Sequence, residues 1–374
     1  MGDFDAIAIG GGPAGAAFAL GLRRHGFSVA IVERTRAPHH KVCGDFHSRE
    51  AQGLLVRLGL DVAGLGAARV STLRLAAGRR AATAPLPFPA IGLSRFSLDE
   101  ALLQAAGDAG AEILRGESVA GLEPDGGHVV VRAGRRVLRA RSVALATGKH
   151  NVRGWPRARA SMTAFKNQLA LTPAAQRQLS DVVQLVGYRG GYIGACLVED
   201  GSATICWLAD DNFMKETAGD WSRQLASVSR QSPYLGDLLA GSRFAAPEPA
   251  AVAAIPFGYT RRDAISPNVY PVGDQLAVIP SITGDGTSLA LASGLRAARA
   301  IVAGETADTY QRASLARTRA QFRWARTVHL MSRSRPTRAL GLGAVALAPR
   351  LASLLAELTR TRDIDSLLTE NGDA

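Results

Sequence analysis

The chain has 374 residues and a mass of 39.2 kDa, a length that predicts about two domains. Because 47% of the residues are hydrophobic and 20% are charged, a sizeable core is possible and an intrinsically disordered chain is excluded. Three cysteines in so long a chain exclude a disulfide scaffold and indicate a reducing compartment. We find no signal-peptide pattern and no uncharged apolar run of about 18 residues, so we expect a cytoplasmic protein without a membrane span.

The first 33 residues predict a βαβ unit. Residues 5–10 form a short apolar run that ends at a glycine, residues 13–25 form a small-residue helix, and residues 28–33 form a second apolar run. Two buried strands joined by a helix run parallel to each other. The chain therefore begins with a parallel sheet of the α/β class.

The rest of the chain alternates between helical and strand patterns. Helices are predicted over 49–58, 98–109, 220–230, 233–239 and 281–303, and strands over 71–86, 112–114, 119–146, 163–171, 181–188, 191–198, 203–209 and 268–272. A two-residue turn at Asp200-Gly201 would place Cys196 opposite Ile205 and would put Cys196 and Cys206 on opposite faces of the sheet.

Basic charge is concentrated near the C-terminus. The net charge is +12, and residues 309–356 contain no Asp or Glu and nine arginines, Arg312, Arg317, Arg319, Arg323, Arg326, Arg333, Arg335, Arg338 and Arg350. Most of this stretch is predicted to be helical with a break at Pro336, and its apolar run over 339–348 is too short to cross a bilayer. Two interpretations stay open, a solvated helix face and attachment to an anionic membrane surface. Because the charge is not uniform, no nucleic-acid partner is expected.

A glycine-rich turn follows the first predicted strand. Gly10, Gly12 and Gly15 fit the G-x-G-x-x-G spacing, in which glycines permit a tight turn, close approach of a pyrophosphate and packing of the helix on the strand. The helix begins at Pro13 and Ala14, where backbone amides and the positive end of the helix dipole favour phosphates.

An acidic residue completes this pattern. Glu33 ends the second predicted strand, 18 residues after Gly15, where a carboxylate accepts hydrogen bonds from ribose hydroxyls. The combination of strand, glycine turn, helix, strand and acid predicts a dinucleotide site, and Arg34 is a further candidate contact.

A second segment indicates which dinucleotide is bound. Residues 269–274, Val-Tyr-Pro-Val-Gly-Asp, are followed by Thr-Gly-Asp-Gly at 283–286. This arrangement resembles the flavoprotein superfamily of para-hydroxybenzoate hydroxylase, the flavin-dependent tryptophan halogenases and the geranylgeranyl reductases. The resemblance implies that the cofactor is FAD, that Gly273 and Asp274 hold the ribityl chain, and that Gly284 and Gly286 begin a helix beside the pyrimidine edge of the flavin.

Two further segments resemble the same superfamily, and the resemblance covers roughly residues 4–305. Leu-Ser-Arg at 93–95 is similar to the segment whose arginine faces the FAD diphosphate, which implies that role for Arg95. Lys-Val-Cys-Gly-Asp-Phe at 41–46 resembles the Cys-Gly segment of the reductases, which implies that Cys43 and Gly44 lie near the flavin ring. Lys166, on a predicted strand, faces either a substrate pocket or solvent.

Other motifs of the superfamily are missing. The hydroxylases carry an Asp-Gly motif where this chain has Leu-Ala-Thr-Gly-Lys-His at 145–150, and the Trp-x-Trp-x-Ile-Pro signature of the halogenases is absent. NAD(P)H is the expected electron donor, although the lost Asp-Gly argues against direct reduction in the manner of the hydroxylases. No metal is expected, because His39, His40, Cys43 and His47 have no second ligand cluster.

Together these patterns predict a discontinuous α/β architecture. A Rossmann-like FAD-binding domain of the glutathione reductase type comprises 1–70, 91–155 and 255–305, an interleaved antiparallel-sheet substrate domain comprises 71–90 and 156–254, and C-terminal helices over 306–374 form a cap. The expected protein is an FAD-dependent oxidoreductase, with a monooxygenase of aromatic, polyketide-like or other lipophilic molecules favoured. The alternative is a geranylgeranyl-reductase-like enzyme that reduces C=C bonds of an isoprenoid lipid. The basic C-terminal helices are candidates for peripheral membrane contact.

Overall fold

The computed structural model describes residues 2–152, 154–157, 160–263 and 266–369, and in them the chain forms two sheets surrounded by helices. The helices are α1 Pro13–Arg23, α2 Arg49–Arg57, α3 Arg95–Asp108, α4 Pro173–Leu179, α5 Asp211–Glu216, α6 Trp221–Gln231, α7 Pro233–Leu239, α8 Gly286–Val302, α9 Ala307–Arg333, α10 Arg335–Leu347, α11 Arg350–Leu358 and α12 Asp365–Thr369. The predicted α/β fold class is confirmed.

The first sheet has seven strands in the order β6-β2-β1-β9-β8-β7, with β16 also paired to β9. Its strands are β1 Gly2–Ile9, β2 Val29–Glu33, β6 Glu112–Arg115, β7 Val119–Asp125, β8 His128–Ala133, β9 Arg136–Leu145 and β16 Val269–Pro271. The pairs β1–β2, β1–β9, β2–β6 and β9–β16 are parallel, so the carboxyl ends of β1, β2 and β16 meet at one edge. In sheets of this kind ligands bind outside that edge.

The second sheet has nine strands in the order β14-β10-β13-β12-β11-β4-β5-β3, with β15 also paired to β10. Its strands are β3 Phe46–His47, β4 Ala68–Ala77, β5 Arg80–Gly92, β10 Met162–Ala170, β11 Asp181–Tyr188, β12 Gly191–Leu197, β13 Ala203–Asp210, β14 Arg243–Phe244 and β15 Ala250–Val252. Only the β4–β11 pair is parallel among the pairs described for this sheet. Strands β4 and β5 extend at both ends beyond residues 71–90, the predicted first segment of the substrate domain. The predicted domain boundaries stay a prediction.

The predicted hairpin register was wrong by one residue. Leu197 pairs with Ala203 and Cys196 pairs with Thr204, because the Val198 amide bonds to the Ser202 carbonyl and closes a three-residue loop. A shift of one residue turns every side chain of a strand to the other face. Cys196 and Cys206 therefore share a face of the sheet, and both are free thiols.

Helices α1 and α8 pack so closely that their backbones are in contact. A Cβ atom on Gly294 would lie 2.3 Å from the Ala14 carbonyl oxygen, and one on Gly21 would lie 2.7 Å from the Ala298 Cβ. Only glycine permits so close an approach, which seats α1 between the first sheet and α8. This packing sets where the N-terminus of α1 lies relative to that of α8.

A buried ion pair connects the loop before β3 to strand β10 of the second sheet. Lys166 of β10 donates to the Asp45 carboxylate at 2.5 Å, and the two side chains are 1% and 0% exposed. Thr204 of β13 donates to the same oxygen at 2.6 Å, while the other oxygen accepts from the Arg95 amide at 3.2 Å. Asp45 thus attaches the loop before β3 to the second sheet and to the first turn of α3. The Lys166 side chain faces neither solvent nor a pocket, which corrects both predicted alternatives.

We expect Gly294→Ala to destabilise the fold by about 1–3 kcal/mol, because the added methyl group must push α1 away from α8. Gly53→Ala in α2 is the matched control, since its methyl group would meet only Leu368 at 3.7 Å. There alanine is expected to stabilise the helix by up to about 1 kcal/mol. Urea unfolding followed by circular dichroism measures both, and equal effects of the two variants would contradict the close packing.

Lys166→Met should lower the free energy of unfolding by about 3–5 kcal/mol, because it leaves a buried carboxylate without its cation. Adding Asp45→Asn removes the stranded charge, and asparagine tolerates the φ of +54° at this position, so the double variant should recover part of the loss. The same unfolding measurement applies. A single variant as stable as the unmodified chain would show that the ion pair does not form.

Candidate functional site

A cavity of about 860 Å³ extends from the carboxyl edge of the first sheet to the C-terminal helices. Thirteen of the fourteen residues predicted to contact a cofactor line it, namely Gly10, Gly12, Pro13, Ala14, Glu33, Arg34, Cys43, Gly44, Arg95, Gly273, Asp274, Gly284 and Gly286. Gly15 does not line the cavity, because it lies where α1 packs on the preceding turn. Lys166 does not line it either.

The glycine turn joins β1 to α1 at one end of the cavity. Gly10 has a φ of +110°, and a Cβ atom there would lie 2.5 Å from the Ala146 carbonyl oxygen. A Cβ atom on Gly15 would lie 2.0 Å from the Gly10 carbonyl oxygen. Gly12 is the N-cap of α1, and no side chain caps this helix. Its first amides are therefore free to bind an anion in the cavity.

Two cations lie beside this helix start. Arg95 points a guanidinium nitrogen to within 3.2 Å of where a Cβ atom on Gly12 would be, and it bonds to Asp99 at 2.5 and 2.8 Å. Lys41 lies 3.0 Å from the same carboxylate. Burial opposes ionisation of Asp99, but Arg95 and Lys41 outweigh it and hold the pKa of Asp99 below its usual range. The sequence pattern indicated Arg95 but not Lys41 or Asp99.

Glu33 lies at the end of β2, where it is 7% exposed. One carboxylate oxygen accepts from the Gly11 amide at 2.8 Å, and the other accepts from the Thr35 amide and hydroxyl at 3.0 and 2.8 Å. Burial raises the pKa of Glu33, but Lys41 and these hydrogen bonds together lower it by more, so the net shift of the pKa is downward. Glu33 is therefore an ionised acceptor at neutral pH. Arg34 beside it is exposed, 3.5 Å from His150.

Asp274 lies in a 3-10 turn between β16 and α8. Gly273 before it has a φ of +56°, and its amide donates to the Ser293 hydroxyl at 2.8 Å, which ties the turn to α8. The Asp274 carboxylate lies 3.4 Å from the Lys149 ammonium, and its carbonyl accepts from Arg157 at 2.8 Å. Lys149 belongs to the segment that replaces the Asp-Gly motif, so that segment here supplies a cation to the cavity.

The loop over 43–45 lies across the cavity from these groups. Cys43 is half-buried, and its sulfur accepts from the Asp45 amide at 3.4 Å. Cys196 of β12 donates to the Gly44 carbonyl at 3.4 Å. These contacts and the Asp45 ion pair hold the loop in place. Among the residues that the structure describes, no cluster of three or more His, Cys, Asp or Glu side chains could hold a metal ion.

The start of α8 is held by a polar network that sequence reasoning missed. Asp285, the fully buried N-cap, does not cap the helix with its side chain but accepts from Ser48 at 3.2 Å, Gln321 at 2.5 Å and Thr361 at 2.6 Å. Arg360 lies 3.3 Å from the same carboxylate and also donates to the Thr283 carbonyl. Burial raises the pKa of Asp285 although Arg360 opposes this. The amides at Gly286 consequently stay open toward the cavity, where a Cβ would meet nothing within 4 Å.

The other end of the cavity is apolar. Its lining includes Leu73, Leu75, Leu86, Phe88, Val183 and Leu185 of the second sheet and Val328, Met331, Leu342, Val345, Ala352 and Leu355 of the C-terminal helices. Polar side chains of the C-terminal helices also line the cavity, namely Ser332, Thr337 and Arg338. Tyr192 of β12 is a further polar group, and its hydroxyl donates to Ser281 at 2.7 Å, in the segment before α8. Burial raises the pKa of Tyr192, so this hydroxyl keeps its proton at neutral pH.

Residues 3–167 match the family model described as FAD binding domain. The chain is also 26% identical over 325 residues to the menaquinone reductase of Mycolicibacterium smegmatis, a match that covers 81% of this chain and 78% of that protein. The domain match covers the glycine turn, Glu33, the Cys43 loop and Arg95. This match supports FAD as the cofactor of the chain.

Solved structures extend the likeness to the full chain. A flavin-dependent brominase, Bmp2, superposes with a TM-score of 0.80 at 18% identity, covering 96% of this chain and 93% of that one. A geranylgeranyl bacteriochlorophyll reductase-like protein from Thermoplasma acidophilum has a TM-score of 0.75 at 18% identity, covering 98% and 99%. Together with the FAD binding domain match over residues 3–167, this shared fold confirms the resemblance to flavoproteins that was found in the sequence.

Proposed function

We propose that this FAD-dependent oxidoreductase is a reductase that saturates a C=C bond in the isoprenoid chain of a lipid such as a quinone. The observation that carries the proposal is the cavity itself, which continues from the cofactor-binding loops into a long apolar space between the second sheet and α9–α11. An apolar chain fits such walls, and the name of the relative that covers 81% of this chain supports a lipid quinone as its carrier.

The residues around the polar end fit FAD group by group. The open amides of α1 with Arg95 suit the diphosphate, Glu33 suits the ribose hydroxyls, and Asp274 suits the ribityl hydroxyls. The uncapped amides at Gly286 suit the electron-rich pyrimidine edge. When bound there, FAD supplies the hydride chemistry, and the protein supplies binding, orientation and exclusion of water.

Reduction of a C=C bond also requires a proton on the second carbon. Tyr192 is our candidate to supply it, because its hydroxyl lines the cavity next to the start of α8 and stays protonated. Ser281 accepts from this hydroxyl and orients it. Cys43 lies on the opposite loop and in this proposal positions the substrate without acting as a nucleophile.

The monooxygenase, which the sequence analysis favours, stays a prediction. The apolar lining would serve it too, since oxygenation also needs exclusion of water. We place the reductase first because the curated relative is named a reductase and because the Asp-Gly motif of the hydroxylases is replaced by a segment carrying Lys149. NAD(P)H as electron donor and the cytoplasm as working place are likewise proposals.

Asp274→Ala should weaken FAD binding by about tenfold to a few hundredfold, because it removes charge-assisted hydrogen bonds of about 1.5–3 kcal/mol. Asp237→Ala is the control, since Asp237 is exposed on α7, away from the cavity. Titration of apoprotein with FAD, followed by flavin fluorescence, gives both affinities. An unchanged affinity for Asp274→Ala would remove Asp274 from the cofactor site.

A single-turnover experiment separates the candidate reactions. The FAD-loaded protein is reduced with dithionite under nitrogen and mixed with a long-chain menaquinone in detergent. After re-exposure to air, the molecular mass of the lipid is measured by mass spectrometry. Saturation of the chain adds two hydrogens that persist in air, whereas reduction of the quinone ring is reversed by oxygen. Repeating the reaction in oxygen would add one oxygen atom if the protein is a monooxygenase, and that product would overturn the reductase.

Replacement of Tyr192 tests separately whether its hydroxyl supplies the proton. In Tyr192→Phe, saturation of the chain should slow by about 100-fold or more while flavin content is unchanged. Equal single-turnover rates for the variant and the unmodified protein would assign the proton to another group.

A further inference from the structure

Helices α10 and α11 form an elbow, by which we mean residues 335–358 with the bend between the two helices. No single helix in the described part of the chain is long and apolar enough to cross a bilayer, whereas these two pass that test together but are bent by 115°. The inner face of the elbow carries Leu342, Val345 and Ala352, which pack on Ala82 and Ala84 of β5. The same inner side chains line the apolar end of the cavity.

The outer face of the elbow is apolar as well. Leu340, Leu347, Leu351 and Leu354 are 72%, 91%, 45% and 55% exposed. Of the eleven large apolar side chains exposed in the part of the chain that the structure describes, seven lie between residues 324 and 354. A helix that is apolar on both faces is stable only when the outer face is also covered, and a concentration of this kind marks an interaction surface.

The charges around the elbow are of one sign. Arg333, Arg335 and Arg350 are exposed at the ends of its helices, and residues 309–356 contain no Asp or Glu. Among the described residues, none of these three arginines forms an ion pair with a carboxylate. Glu357, the nearest acid along the chain, is already paired with Arg49 at 3.5 Å.

We propose that the elbow is a docking surface for the anionic face of a phospholipid bilayer. The exposed leucines would enter the leaflet to the depth of the acyl boundary, and the arginines at the helix ends would bind lipid phosphates. Leucines flanked by arginines complement a layer that is apolar inside and anionic outside. This proposal does not depend on which reaction the flavin performs.

Point variants test the surface better than truncation, because removing the chain after Arg333 would also remove Arg360 and with it the network around Asp285. The full FAD-loaded chain is sedimented with vesicles of phosphatidylcholine alone or mixed with phosphatidylglycerol. We expect stronger binding to the mixed vesicles, weakened by salt. Replacing Arg333, Arg335 and Arg350 by Gln should weaken binding to them by roughly a hundredfold, or about fivefold per arginine.

The leucines are tested in the same way with a matched control. The triple variant Leu340→Gln, Leu347→Gln, Leu354→Gln should reduce binding at least tenfold, since each leucine loses its transfer into the apolar layer. Val56→Gln, at a side chain that is 64% exposed on α2, should change nothing, and neither should Arg135→Gln, in the exposed turn between β8 and β9. Flavin content should be the same in all variants, because these side chains lie on the surface.

Three results would overturn the proposal. The first is no sedimentation with either vesicle type, and the second is equal binding of the leucine variant and the unmodified chain. The third is a dimer, measured by light scattering, that the leucine variant converts to a monomer while vesicle binding is unaffected, which would assign the elbow to a second copy of the chain.

Discussion

The Asp45 carboxylate is the one group that ties the second sheet to two segments lining the cavity, the Cys43 loop and the start of α3. It is completely buried, and it accepts from Lys166 and Thr204 of the second sheet and from the backbone amide of Arg95 at the start of α3. A buried carboxylate is costly unless every lone pair is satisfied, so its partners can move only together. The second sheet, the Cys43 loop and the start of α3, the helix that carries Arg95, are therefore held together at one point.

A second buried carboxylate couples the C-terminal helices to the cofactor end. Asp285 precedes α8 and is held by Gln321 of α9 and by Arg360 and Thr361, which follow α11. The C-terminal region is thus part of the wall of the cavity and is not an independent appendage. Because one network holds both the uncapped start of α8 and the segment after α11, a displacement of the elbow would also move the groups at the start of α8.

The parts of the molecule that sequence predicts are those whose cause is local. The βαβ unit, the glycine turn and Glu33 lie within the first 33 residues, where each glycine has a steric reason visible in its spacing. The two buried networks could not be predicted, because Lys166 lies 121 residues from Asp45 and Arg360 lies 75 residues from Asp285. The predicted register of the hairpin at Gly201 was wrong for another reason. The length of the loop depends on which backbone amide closes it, here that of Val198, and the turn residues alone do not identify that amide.

The two apolar faces of the elbow have a common physical explanation if the substrate is a long isoprenoid chain. Moving such a chain through water costs about 0.8 kcal/mol for each exposed methylene, a barrier that grows with length. Transfer between a bilayer and an apolar cavity exchanges one hydrocarbon environment for another and costs little. A wall that is apolar toward the cavity through Leu342 and Val345 and apolar toward the outside through Leu340 and Leu347 is the kind of boundary that such a transfer requires. A small soluble aromatic substrate would not explain the outer leucines. Binding of the elbow to a bilayer would therefore favour a lipid substrate over a soluble one.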